Sequence, residues 1–162
     1  MRTLLILPFL LFLSGPLAAR DPLGVFGAWG VFRDAAPARC YAIAEPDVRH
    51  DEQLRRPFVA LASWPGRAAG IQFHARLRKD RARGTPAILS IGGARFPLVA
   101  GRADAWARDA RVDAAIVRAM RSGQWMRVTA RSTSGESFAD VYALRGAATA
   151  IDAALIACAR RR

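Results

Sequence analysis

Few side chains in this chain stand at a spacing that chemistry requires. The titratable candidates are two histidines, His50 and His74, and two cysteines, Cys40 and Cys158. His50-Asp51-Glu52 puts three metal-binding side chains in a row. Consecutive residues of a strand or helix point in different directions, so only a loop could gather them on one ion. The surrounding stretch, Glu45 to Arg56, holds Pro46 and a run of charges and reads as a solvated loop. No metal and no cofactor is expected. A Ser-His-Asp set could be assembled only from scattered residues, because no G-x-S-x-G elbow is present. Gly92-Gly93 lacks the Lys-Ser/Thr of a phosphate loop and reads as a hairpin turn. No catalytic residue is named, and the reading is of a protein that is not an enzyme.

Charge is the stronger signal. The net charge is +12, and Lys79 is the only lysine beside a large excess of arginine. Arg76, Arg78, Lys79, Arg81 and Arg83 crowd the end of one strand and the loop after it, interrupted by Asp80. Arginine suits bidentate contacts to phosphate or carboxylate, so this stripe is the candidate anion-binding edge, for an acidic glycan or a lipid phosphate. The alternative is a solvated arginine-rich loop. On either reading the five side chains face outward, and replacing them is expected to leave the fold intact. Nucleic acid is not expected, because the stacking aromatics of an RNA-binding sheet are missing. Trp29, Trp64 and Trp125 lie in or at the ends of strands, where core packing is the default and a glycan-stacking surface the lesser reading.

The elements that must carry these residues are mostly strands. Val25 to Arg33 is rich in Val, Phe and Trp, and Ala38 to Ala44 sets Ala38, Cys40, Ala42 and Ala44 against Arg39, Tyr41 and Ile43. Phe58 to Ser63 is an apolar run closed by Trp64-Pro65-Gly66. Ile71 to Arg78 alternates, with Ile71, Phe73, Ala75 and Leu77 opposite Gln72, His74, Arg76 and Arg78. Ala87–Ile91, Arg95–Val99, Trp125–Arg131 and Ser137–Leu144 complete the set. Two helices are expected. Asp109 caps one in which Val112, Ile116, Ala119 and Met120 share a face, with Gly123 as its C′ residue. The other runs from about Ala147 to Ala159, with Ile151, Leu155 and Cys158 in line. The fold class is mainly β: one antiparallel sandwich-like or barrel-like domain over residues 20–162, with two short helices, the last at the C-terminus.

Residues 1–19 read as a signal peptide. Arg2 is followed by an apolar stretch from Leu4 to Leu13, half the length that spans a bilayer, then Ser14-Gly15-Pro16 and the small residues Ala18-Ala19. Cleavage near Ala19 would leave no transmembrane anchor and place the chain in the periplasm or at the cell surface. An oxidising compartment favours pairing of Cys40 with Cys158 over two buried free thiols. The bridge would close a loop of roughly 118 residues, for which chain entropy gives about 4 to 5 kcal/mol as an upper value. At 52% hydrophobic and 23% charged residues the chain can form a core, and wholesale disorder is excluded.

The run Phe26-Gly27-Ala28-Trp29-Gly30-Val31-Phe32, then Arg39-Cys40-Tyr41, Trp64-Pro65, Ala119-Met120-Arg121-Ser122-Gly123 and Asp140-Val141-Tyr142-Ala143-Leu144-Arg145-Gly146, with Ala147 to Ala150 and Cys158, resembles the invasion-associated locus B family. The resemblance spans most of the chain beyond residue 19. It implies a small, exported, β-rich bacterial envelope protein with an interaction or structural role, and it brings no catalytic residues. The partner would be an envelope or surface component, with an anionic glycan or lipid as one candidate. The rival expectations are a hydrolase acting on envelope polymers and an anion-binding module working through Arg76–Arg83.

Overall fold

The stretch from Val25 to Arg33 does not run as one strand. In the computed structural model, which describes residues 20–47, 55–66 and 70–159, the chain turns at Gly27-Ala28 and makes two strands, β1 (Arg20–Phe26) and β2 (Trp29–Ala35). Gly27 takes φ +59, and a Cβ there would lie 2.3 Å from the Arg145 carbonyl oxygen. Gly146, at φ +90, stands in the reciprocal position, where a Cβ would meet the Phe26 carbonyl at 2.0 Å. Two backbones meet here with no room for a side chain on either. Ala28 N–H and the Trp29 indole N–H donate across the same contact, to the Arg145 and Ala143 carbonyls at 3.4 and 2.9 Å.

The remaining strands are β3 (Ala38–Ala44), β4 (Phe58–Ser63), β5 (Gln72–Arg76), β6 (Ala87–Ile91), β7 (Ala94–Ala100), β8 (Asp104–Trp106), β9 (Trp125–Arg131) and β10 (Ser137–Ala143). They form one ten-stranded antiparallel sheet in the order β1-β2-β3-β4-β5-β8-β7-β6-β9-β10. The segment just after β3 reaches the β10 edge of the sheet, where Asp47 N–H donates to the Val141 carbonyl at 2.9 Å. The inner faces of both halves share one core, from Trp29, Val31, Val59, Leu61 and Phe73 to Leu89, Met126, Val128 and Tyr142. Each large apolar side chain buried there contributes about 1.5 to 3 kcal/mol. The fold is mainly β, as the periodicities imply. Two strands leave no periodicity of their own in the sequence, β1 as a separate element and the three-residue β8.

Helix α1 (Ala110–Ser122) starts at Asp109, whose carboxylate accepts from Val112 N–H at 2.9 Å. It buries Ile116 and Met120. Gly123 ends it, but not as a left-handed cap: its φ is −80. Space explains the glycine, because a Cβ would lie 2.8 Å from Ile91 and 2.9 Å from Leu144. Within α1, Asp113 is buried and accepts from Phe73 N–H at 2.7 Å, a donor that short β8 leaves free on β5. Burial pushes the Asp113 carboxyl above the usual carboxylate range, and the bond from Phe73 offsets this in part.

Helix α2 (Ala147–Ala159) lies on β2 and β3. Ala147, Ala150, Ile151, Ala154 and Cys158 are its buried residues, while Leu155 sits on the flank of that stripe. Small residues on the helix and Cys40, Ala42 and Ala44 on β3 allow the close approach that the disulfide needs. Cys40 and Cys158 are bonded, with Cα atoms 5.7 Å apart.

Candidate binding groove

Alternation sorts the residues of β3, β4, β5 and β8 onto two faces. Cys40, Ala42, Val59, Leu61, Phe73, Ala75 and Ala105 point to the core. Their neighbours point outward, and on this half of the sheet the outward set is unusually aromatic. Arg20, Arg39, Tyr41, Ile43, Phe58, Ala60, Ala62, Trp64, Gln72, His74 and Trp106 line a groove of about 490 Å³. Strand register builds it. Phe32 stands opposite Tyr41, Ile43 opposite Ala60, Ala60 opposite His74, and His74 opposite Trp106. The floor is low where Ala60 and Ala62 sit, and rings rise around it.

The rings are held by one another. The His74 imidazole lies parallel to the Trp106 indole, at 5.2 Å between centroids and 9° between planes, and meets Phe58 edge-on at 5.3 Å. Phe32 and Tyr41 stack at 5.8 Å. Guanidinium groups cover several of them: Arg39 lies 4.9 Å above Tyr41, and Arg76 lies 5.8 Å from Phe58.

Two carboxylates fix the cations. Asp34 accepts from Arg39 at 2.8 Å and from the Tyr41 hydroxyl at 3.4 Å, and Arg20 lies 3.6 Å away. Burial pushes the Tyr41 phenol above its ordinary range, and the charge of Asp34 adds to that, so the ring stays neutral and its hydroxyl remains a donor. Asp104 bonds His74 Nε2 at 2.8 Å and accepts from Arg76 Nε at 3.2 Å. Burial alone would raise the Asp104 carboxyl, but the bonds from His74 and Arg76 outweigh it and hold the group below the usual carboxylate range. The groove therefore presents flat rings and planar polar groups whose positions are set before any ligand arrives.

No family model and no curated protein matches this chain by sequence. Among solved structures, invasion associated protein B from Bartonella henselae matches with a TM-score of 0.62 at 16% identity, over 85% of this chain and 98% of that one. The chain has the fold of invasion associated protein B. The likeness agrees with the sequence resemblance. In this invasion associated protein B fold, two of the quoted segments, Phe26-Gly27-Ala28-Trp29 and Ala143-Leu144-Arg145-Gly146, dock against each other.

Within that fold the five cations of the basic stripe are dispersed. Arg76 joins the groove through Asp104. Arg78 turns to Asp140, which is fully buried, and to the Ala139 carbonyl. Lys79 pairs with Glu136 at 3.0 Å. Arg81 spends its donors on backbone, bonding the carbonyls of Gly101, Ala82, Thr85 and Ala100. Arg83 is exposed and, with Arg81, Arg102, Gly101 and Thr133, borders a second cavity of about 570 Å³. Arg78 and Arg81 are thus structural, which corrects the expectation that all five can be replaced without harm to the fold.

His50 and the His50-Asp51-Glu52 triplet lie outside the described residues, as does the 1–19 segment. The three tryptophans separate: Trp29 is buried in the core, Trp64 lines the groove, and Trp125 is half exposed. Nothing in the sequence pattern marks Trp106, which ends a strand of three residues. The signal that could have found the groove was the outward set Arg39, Tyr41 and Ile43 on β3, since a solvated face has no use for a phenol ring and an isoleucine side by side.

Proposed function

We propose that the chain is an exported, non-enzymatic protein of the bacterial envelope, acting in the periplasm or at the cell surface by binding, with the β1–β5/β8 groove as its contact surface. The observation that carries this reading is the outward face of rings and paired ions around Tyr41, Phe58, His74 and Trp106. Such a lining offers stacking area and oriented hydrogen bonds, the means of recognition. The Cys40–Cys158 bond is consistent with an oxidising compartment. No helix among the described residues is long and apolar enough to cross a membrane. The solved protein with the same fold is itself named for invasion.

Two measurements test the proposal. When the whole sequence is expressed in a bacterial host, the periplasmic product should have an intact mass that starts near Arg20. That product should co-sediment with isolated cell envelopes, and a Trp64→Ala/Trp106→Ala variant should be left in the supernatant. A product retaining residues 1–19, or a variant that sediments as fully as the parent, would sink the reading.

A further inference from the structure

Resting on that reading of the groove, we infer that its ligand is an oligosaccharide chain, uncharged or weakly acidic, seated on Trp106. A sugar ring has an apolar C–H face and a rim of hydroxyls. It needs a flat aromatic surface beneath it and planar donors and acceptors beside it. The groove supplies both. Trp106 is braced by the parallel His74 ring, which fixes the indole as a platform. Ala60 and Ala62, with no bulk of their own, leave the floor of the same groove open. Gln72 projects along this floor with both an amide donor and a carbonyl acceptor.

Charge argues against a polyanion here. Asp34 sits among Arg20, Arg39 and Tyr41, and Asp104 holds His74 and Arg76, so the lining cations are already shared with carboxylates. The groove therefore differs from the Arg81/Arg83/Arg102 cavity, where Arg81 and Arg83 have no carboxylate partner among the described residues. A ligand of the aromatic groove should bind with little dependence on salt, because the attraction is stacking and hydrogen bonding rather than unscreened charge. A proline-rich peptide also uses aromatic grooves, and it is the main competing occupant.

The test titrates the oxidised, exported chain with N-acetylglucosamine hexamer and with maltohexaose, following tryptophan fluorescence and calorimetry. The expected result is saturable binding of at least one sugar, changed less than about twofold between roughly 50 and 500 mM salt. Trp106→Ala should weaken it by about tenfold or more, Trp106→Phe and Gln72→Ala less, and Arg83→Ala/Arg102→Ala not at all. Near-ultraviolet circular dichroism checks that each variant is folded, and Trp106→Phe with Gln72→Ala carries the test should Trp106→Ala fail to fold. Three results would overturn the inference: neither sugar binding at up to about 10 mM, binding that collapses with salt and with the arginine substitutions, or a proline-rich decamer taking the Trp106-dependent site instead. Envelope co-sedimentation that persists without sugar binding would leave the proposed function standing and remove only this assignment of its ligand.

Discussion

Arg78 is the residue whose setting most changes its meaning. It looks like one of a row of surface cations, yet its guanidinium faces Asp140, a carboxylate with no exposed side-chain surface. Removing the guanidinium takes one compensating partner from a buried carboxylate, which costs up to about 3 to 5 kcal/mol. Arg78→Ala should therefore lower the denaturant midpoint by an amount in that range, while Arg83→Ala, at an exposed position, should leave it within about 0.5 kcal/mol. Equal effects of the two substitutions would refute the structural role. Tyr142 gives the opposite case. Its ring is fully buried, and its hydroxyl has no hydrogen-bond partner among the described residues. Burial pushes the phenol upward, with Asp140 adding to the shift, so the hydroxyl is neutral and gains nothing from its site. A buried donor without a partner costs about 1 to 3 kcal/mol. Tyr142→Phe should leave stability unchanged or raise it by up to that amount in urea titration, and a clear loss would mean that the hydroxyl is bonded.

At the scale of elements, the close approach of Gly27 to Gly146 joins the β1–β2 turn to the start of α2. Gly146→Ala should destabilise by about 1 to 3 kcal/mol from the backbone angle alone, with the contact to the Phe26 carbonyl adding to it; a thermal scan unchanged from the parent would count against the docking. Local pattern shows such elements unevenly. Strand alternation through Phe73, Ala75 and Leu77 is legible because period two survives in any sheet, and so are the Asp109 cap and the helical stripe ending at Cys158. Strand β8 is not legible, since Asp104-Ala105-Trp106 is too short to show a period. Without β8, nothing in the sequence puts Trp106 against His74, thirty-two positions earlier, and the groove stays hidden. Asp140 is likewise 62 positions from Arg78, so the charge run was visible and its burial was not. Gly123 ends α1 at the expected position, but crowding by Ile91 and Leu144 rather than a left-handed turn favours the glycine.

For the whole molecule, the Cys40–Cys158 bond ties the third strand to the last helix across 118 positions. A loop of that length restricts the unfolded chain by about 4 to 5 kcal/mol in the entropic model. Reduction should lower the unfolding midpoint correspondingly, with the fold-specific near-ultraviolet signal lost in one step, and an unchanged midpoint would show the bond to be ornamental. The same geometry bears on the order in which the protein can come into being. Ribosomes deliver β1, β2 and β3 first, yet the surfaces that cover them belong to α2, the last element described. Until Gly146 and Cys158 have emerged, Gly27 has no backbone to rest against and the Cys40 thiol has no mate. Nascent chains cut short anywhere before α2 should consequently remain unfolded and protease-sensitive, and maturation becomes a single late event rather than a march from one end to the other.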